Sequence, residues 1–222
     1  MICLMLYFLN EEAIMYISKL NREEDQAKIL EFLRQNEFSI VVTYDGEKPI
    51  ASHLLTEVAL DGENLFVNGH MSKANPLWKT FEKNPEVLVI FQGPHTYISP
   101  TWYNHINVPT WNYQAVHVYG KPRIVTDPEE FHAILSRLVV RNEIDTSYRL
   151  ESLPPDFVVN NMKGIVGFQI EVTRIEANYK LSQNRDDANY QNIVQQLHGR
   201  ADEMSHQVAE AMERQRPGFL SL

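Results

Sequence analysis

The stretch FSIVVTYDGEKPIASHLLTEVALDGENLFVNG, residues 38–69, decides the architecture. It holds three runs rich in β-branched and aromatic residues, at 38–44, 50–60 and 65–69. Asp45-Gly46 and Asp61-Gly62 separate them. Asp-Gly marks a tight turn because glycine takes up the positive φ that closes two antiparallel strands. Three adjacent strands joined in this way form an antiparallel meander.

Working outward, Asn21 followed by Glu24 reads as a capping box opening a helix that keeps one apolar face to about Gln35. Asn75-Pro76 opens a short helix, with asparagine as cap and proline in the first turn, and Asn84-Pro85 ends it. A strand follows at 87–91 and continues toward Ile98. Residues 99–113 hold two tryptophans and two tyrosines without a period and read as an aromatic loop. A strand at 116–125 comes next, then a helix from Asp127-Pro128 to about Asn142. Residues 152–163 read as irregular and 164–177 as the last core strand. The tail turns helical, with Ile193, Val194 and Leu197 on one face, Met204, Val208 and Met212 on another, and a break at Gly199. About six strands with helices inserted between them predict an α+β barrel or roll rather than a doubly wound parallel sheet.

Length and composition agree. The 222 residues suit one large domain or one domain with an appendage, and a 44% hydrophobic share builds a core without staples. Cys3 is the single cysteine, which excludes an internal disulfide and a cysteine-rich metal site and suits a reducing cytoplasm. The net charge of -9 opposes nucleic acid as a dominant partner. Residues 1–9 are apolar but too short to span a bilayer and lack a basic flank, so no membrane segment is expected. The patterned sequence begins at Met15, which reads as the start of the fold, with 1–14 an extension outside it. The barrel is expected over 15–180, with a helical segment over 181–222 packed on it or on a dimer partner.

No glycine-rich phosphate loop, paired-histidine zinc helix or nucleophile elbow is present. Four segments carry candidate chemistry. In Gly69-His70-Met71-Ser72-Lys73-Ala74-Asn75-Pro76 a hydroxyl, an ammonium and a helix start come together. This is either a phosphate cradle with backbone donors or a pair of helix caps beside a solvated lysine. Ser52-His53 is either a polar core pair or a ligand contact. Trp102 and Trp111 either cover a ligand or close a barrel end or dimer interface. The turn at 180–185 is either solvated or an anion-binding rim.

These same segments, with Phe91-Gln92-Gly93-Pro94-His95 and Val108-Pro109-Thr110-Trp111-Asn112-Tyr113, resemble the PaiB-like family of bacterial FMN-binding negative transcriptional regulators. The resemblance runs from about Met15 to Gly218. It implies an FMN-binding split β-barrel related to pyridoxamine-phosphate oxidases, a homodimer with FMN at the subunit interface, and repression of sporulation and secreted-protease genes. Carried over by position, His70, Met71, Ser72 and Lys73 match the phosphate-binding strand end, and Ser52, His53 and Leu54 match the strand lining the flavin ring. Trp102, Trp111, Gln183 and Arg185 would approach from the side, from the second subunit. The strand at 50–60 has no basic residue except His53, so the phosphate would rest on Lys73 with neutral donors. The alternative function is an FMN-dependent oxidoreductase acting on a small aromatic or nicotinamide substrate. A regulator could bind DNA directly or act through a protein partner, and the C-terminal helices show no basic recognition face.

Overall fold

A computed structural model describes residues 15–145 and 147–216. The expected extension at 1–14 lies outside them. Six strands, β1 (Phe38–Tyr44), β2 (Pro49–Asp61), β3 (Asn64–Ser72), β4 (Val87–Ile98), β5 (Thr110–Val125) and β6 (Ile165–Lys180), form a closed antiparallel barrel in the order β1-β2-β3-β6-β5-β4. The α+β split-barrel expectation is met.

The meander stands where the turns place it. Gly46 and Gly62 have φ of 104° and 60°, and Asp45 Oδ1 accepts the N–H groups of Glu47 and Lys48 at 2.8 and 2.9 Å. These are conformations that glycine adopts without a Cβ penalty.

The chain clusters into two compact units. The first comprises Gln26–Phe91 and His117–Ile175. Alternation along its strands buries Val41, Val67, Val89, Phe91, Phe168 and Ile170 completely. Helix α1 (Gln26–Gln35) adds Ile29, Phe32 and Leu33 to the buried set. Helix α2 (Pro128–Asn142) starts at the expected cap, where Asp127 Oδ1 accepts Glu130 N–H at 2.8 Å. It packs Phe131, Ile134, Leu135 and Leu138 with Val125 into one apolar cluster. Residues 152–163 are not irregular throughout. Pro155 opens helix α3 (Pro155–Met162), since a proline suits the first helical turn.

The second unit comprises Gln92–Val116 with the described parts of Glu11–Asp25 and Glu176–Leu222. Its core gathers Ile98 and Leu181 with Tyr190, Ile193 and Leu197 of α4 (Asp187–His198) and Val208 and Met212 of α5 (Glu203–Gln215). Gly199 follows α4 as its C-cap, at the break read from the sequence.

Two boundaries differ from expectation. The capping box at Asn21 and Glu24 does not form, because residues 21–23 pair with the end of β6. Tyr179 N–H donates to Asn21 O at 2.8 Å, Glu23 N–H donates to Ala177 O at 3.1 Å, and Arg22 bridges Asn178. The N–H groups of Glu24 and Asp25 then donate to Glu23 Oε1 at 3.0 and 2.9 Å. The aromatic loop is also shorter than expected: β5 begins at Thr110, so Trp111 stands on a strand. Ladder bonds to neighbouring strands extend the element beyond its β-branched run.

Candidate functional site

In the first unit β2 changes partner. Up to Leu55 it pairs with β1, in register from Tyr44↔Pro49 to Phe38↔Leu55. From Thr56↔Gly69 to Asp61↔Asn64 it pairs with β3. Beyond Gly69, β3 continues against β6 alone, to Ser72↔Ile165. Two strand ends therefore run on outside their shared ladder, residues 49–55 of β2 and 70–72 of β3. Ser52, His53, Leu54, His70, Met71 and Ser72 lie on these two ends, and Lys73 follows directly.

One side chain joins them. Asn75 Nδ2 donates to Ser52 Oγ at 2.9 Å, while Asn75 Oδ1 accepts Leu77 N–H at 3.0 Å and caps the 3-10 helix Pro76–Lys83. The sequence offered Asn75 as a cap. Its second role needs the strand pairing and was not visible there.

Alternation sorts the candidates by sheet face. Cross-strand partners share a face. Ser52 and Leu54 sit opposite Val41 and Ser39, both fully buried, so they point to the inner side, as does Met71 at 2% exposure. His53 sits opposite Ile40 on the outer side, where its ring stacks on Phe38 at 6.0 Å. His70 and Ser72 alternate with Met71 and lie on the outer side too.

The donors of the phosphate reading are distributed differently from expectation. Between Lys73 and Leu77 every backbone N–H is engaged: Lys73 with Gly164 O at 3.0 Å, Ala74 with Ser72 Oγ at 3.2 Å, Asn75 with Ser72 O at 3.0 Å, and Leu77 with Asn75 Oδ1. Pro76 has no N–H. The backbone cradle thus serves the caps, and an anion here depends on side chains. Those present fit one. Lys73 is exposed and pairs with no carboxylate among the described residues, and the Ser72 hydroxyl remains able to donate. His70 Nδ1 is buried without a partner, and burial holds its pKa below the ordinary 6.5. An FMN phosphate would find Lys73, Ser72 and His70 available on the outer side; His53 shares that side, whereas Ser52, Leu54 and Met71 face inward and are not grouped with them.

The remaining candidates belong to the second unit. Trp111 is half-exposed, with its ring 6.2 Å from that of Tyr97 and 6.3 Å from that of His95. Trp102 lies in the short 3-10 turn Pro100–Trp102, and its carbonyl accepts from Asn192 Nδ2 at 2.5 Å. Both ends of the Gln183 amide brace its own turn, Nε2 donating to Tyr179 O and Oε1 accepting Leu181 N–H at 2.7 Å. The Arg185 guanidinium lies 4.7 Å from the centre of the Tyr103 ring. Gln183 and Arg185 line a cavity of 450 Å³ together with Lys180, part of the 180–185 turn read as a possible rim, and Asn178, which the sequence reading had not included.

Among the described residues no group of three or more histidine, cysteine, aspartate or glutamate side chains could hold a metal, and no helix is long and apolar enough to cross a membrane.

The family model described as "Putative FMN-binding domain" matches residues 15–174. The chain is 42% identical over 201 residues to "Protease synthase and sporulation protein PAI 2" of Bacillus subtilis, covering 90% of this chain and 97% of that protein. Among solved structures, the flavocytochrome Anf3 from Azotobacter vinelandii superposes with a TM-score of 0.60 at 15% identity, over 74% of this chain and 72% of that one. The FAD and heme binding protein from Mycobacterium smegmatis gives 0.56 at 10% identity, over 72% and 73%. At such identities these two structures bear on the fold alone.

Proposed function

The chain belongs to the family of FMN-binding domains matched over residues 15–174, and we propose that it serves as a regulator of gene expression rather than as a metabolic enzyme. Its cofactor is FMN, which supplies redox chemistry when bound. The observation that carries the regulatory reading is the 42% identity, across 90% of the chain, to a protein named for protease synthase and sporulation. On that likeness this chain restrains sporulation and secreted-protease genes in the cytoplasm.

The route favoured is through a protein partner. The C-terminal helices carry Arg200, Arg214 and Arg216 against Asp187, Asp202, Glu203, Glu210 and Glu213. Asp202 lies 3.1 Å from Arg200, Glu210 3.6 Å from Arg214 and Asp187 3.2 Å from Arg216. A groove-binding helix needs cations in excess, and these are matched.

A homodimer is part of the reading. On the outer side of β1 and β4, Phe38 is 68% and Tyr44 47% exposed, and Ile40, Val42, Leu88 and Ile90 are half-buried beside them. A contiguous apolar strip of this kind supports a covering surface from a second copy.

The test pairs transcription with turnover. Removing the protein from its host should raise sporulation and secreted-protease transcripts, and a Lys73→Ala copy should fail to restore repression. FMN-loaded protein should oxidise NADH or NADPH no faster than free FMN. Saturable oxidation with unchanged transcripts would replace the regulator with an FMN-dependent oxidoreductase of a small aromatic or nicotinamide substrate.

A further inference from the structure

The cavity of the second unit has a chemistry of its own, and we infer that it binds a small aromatic carboxylic acid carrying an N–H or O–H donor. The inference names a ligand other than the flavin, at a cavity whose Gln183 and Arg185 are also flavin candidates by position.

Charge comes first. The cavity is lined by Lys180 and Arg185 and by no aspartate or glutamate, in a chain of net charge -9. Lys180 Nζ donates to the neutral Thr110 Oγ1 at 2.6 Å, and among the described residues neither cation pairs with a carboxylate. An ammonium has three donors, so Lys180 keeps two for a ligand. Arg185 Nε is buried without a partner. With its plane held near Tyr103, the guanidinium keeps the fork geometry that matches a planar carboxylate.

The second observation is an orphan acceptor. Asn178 is 3% exposed and lines the cavity. Its Nδ2 donates to Tyr113 Oη at 3.0 Å and to the Tyr16 carbonyl at 3.3 Å. A carbonyl only accepts, which fixes the amide orientation and leaves Oδ1 buried with no partner. A buried acceptor left unmet is costly, so a ligand that donates to it is favoured over one that cannot. Tyr113, Val108 and Pro109 supply an apolar wall for a ring.

The turn that carries the cations is held in place before any ligand arrives. Ser182 has φ 62°, a left-handed conformation uncommon outside glycine, and its Oγ donates to Asn112 Oδ1 at 3.0 Å. Arg216 donates to the carbonyls of Gln183 and Arg185 at 2.8 and 2.9 Å. The volume of 450 Å³ lies in the range of small-molecule sites.

The probe is 2-aminobenzoate, which combines a carboxylate, a ring and an amino donor, titrated by calorimetry into the full chain beside benzylamine. The expected result is saturable binding of 2-aminobenzoate and none of benzylamine. Lys180→Met should weaken it by roughly tenfold or more while thermal melting stays unchanged. Lys180→Arg should restore it, and Lys73→Ala should leave it intact. No saturation with the unaltered chain, or binding indifferent to Lys180→Met, overturns the inference. So does binding abolished by Lys73→Ala, which would place the acid among the flavin-site residues.

Discussion

Asn75 is bonded to Ser52 across the point where β2 leaves β3, with Nδ2 donating to Oγ at 2.9 Å and the other end of the amide capping a helix at Leu77. One side chain therefore sets both the spacing of the two candidate strand ends and the start of the helix beyond them. Stability and cofactor binding should be separable at this residue.

Asn75→Ala removes both bonds and should lower unfolding free energy by about 1–2 kcal/mol, the usual range for a lost N-cap. Asn75→Asp keeps an acceptor for Leu77 N–H, cannot donate to Ser52 when ionised, and adds a negative charge two residues from Lys73. It should unfold near the parent's denaturant midpoint yet bind FMN several-fold more weakly. Urea melts and FMN titrations on both variants check this. Equal loss of stability in the two would show that the Ser52 bond matters more than the cap.

Lys73 is the one side-chain cation of the candidate phosphate site, since backbone donors from Lys73 to Leu77 are already engaged. Losing a charge-assisted hydrogen bond costs about 1.5–3 kcal/mol, or roughly 10- to 100-fold in affinity. Lys73→Ala should weaken FMN by that factor and leave riboflavin, which has no phosphate, nearly unchanged. Fluorescence titrations with both flavins decide it. An equal effect on riboflavin would assign Lys73 to the ring instead.

Burial lowers the pKa of His70 below 6.5, so the imidazole is neutral near pH 7. The folded state then binds fewer protons than the unfolded state between the two pKa values. This stabilisation is complete above about pH 6.5 and is lost as pH falls through the lower folded value. NMR titration of the imidazole protons, assigned with His70→Gln, should place the pKa below 6.5. Bound phosphate should raise it, since a nearby anion favours the charged ring. A free-protein value at or above 6.5 would contradict the burial argument.

Local signals carried much of this fold. Strand β1 and helix α2 stand where Asp45-Gly46 and Asp127-Pro128 put them, because turn and cap chemistry acts over a few residues. Long-range pairing was invisible. Asn21 looks like a cap until β6 engages its carbonyl through Tyr179 N–H, and β3 outruns its β-branched residues to Ser72 because β6 lies beside it. The same holds for chemistry. Lys73 and Ser72 were legible as candidate phosphate contacts by type, but the engagement of their backbone neighbours was not. Asn178 gave no sign in the sequence, as its orphan oxygen follows from two acceptors far away along the chain.

Gly69 links the core to the site, which makes it the most informative single substitution. A Cβ there would stand 2.6 Å from Phe168 Cζ and 3.1 Å from the Leu55 carbonyl. Phe168 is fully buried and held edge-to-face against Phe81 at 5.8 Å, so the ring cannot swing away freely. Gly69→Ala should destabilise by about 1–3 kcal/mol, the usual penalty for overpacking. Relief requires β3 to shift where its ladder with β2 ends, which moves His70, Ser72 and Lys73 relative to Ser52. FMN affinity should fall together with stability, although Gly69 has no side chain to touch the flavin. Adding Phe168→Leu makes room for the new methyl and should recover part of both losses. Recovery of stability without recovery of FMN binding would separate the strand end from the packing beneath it.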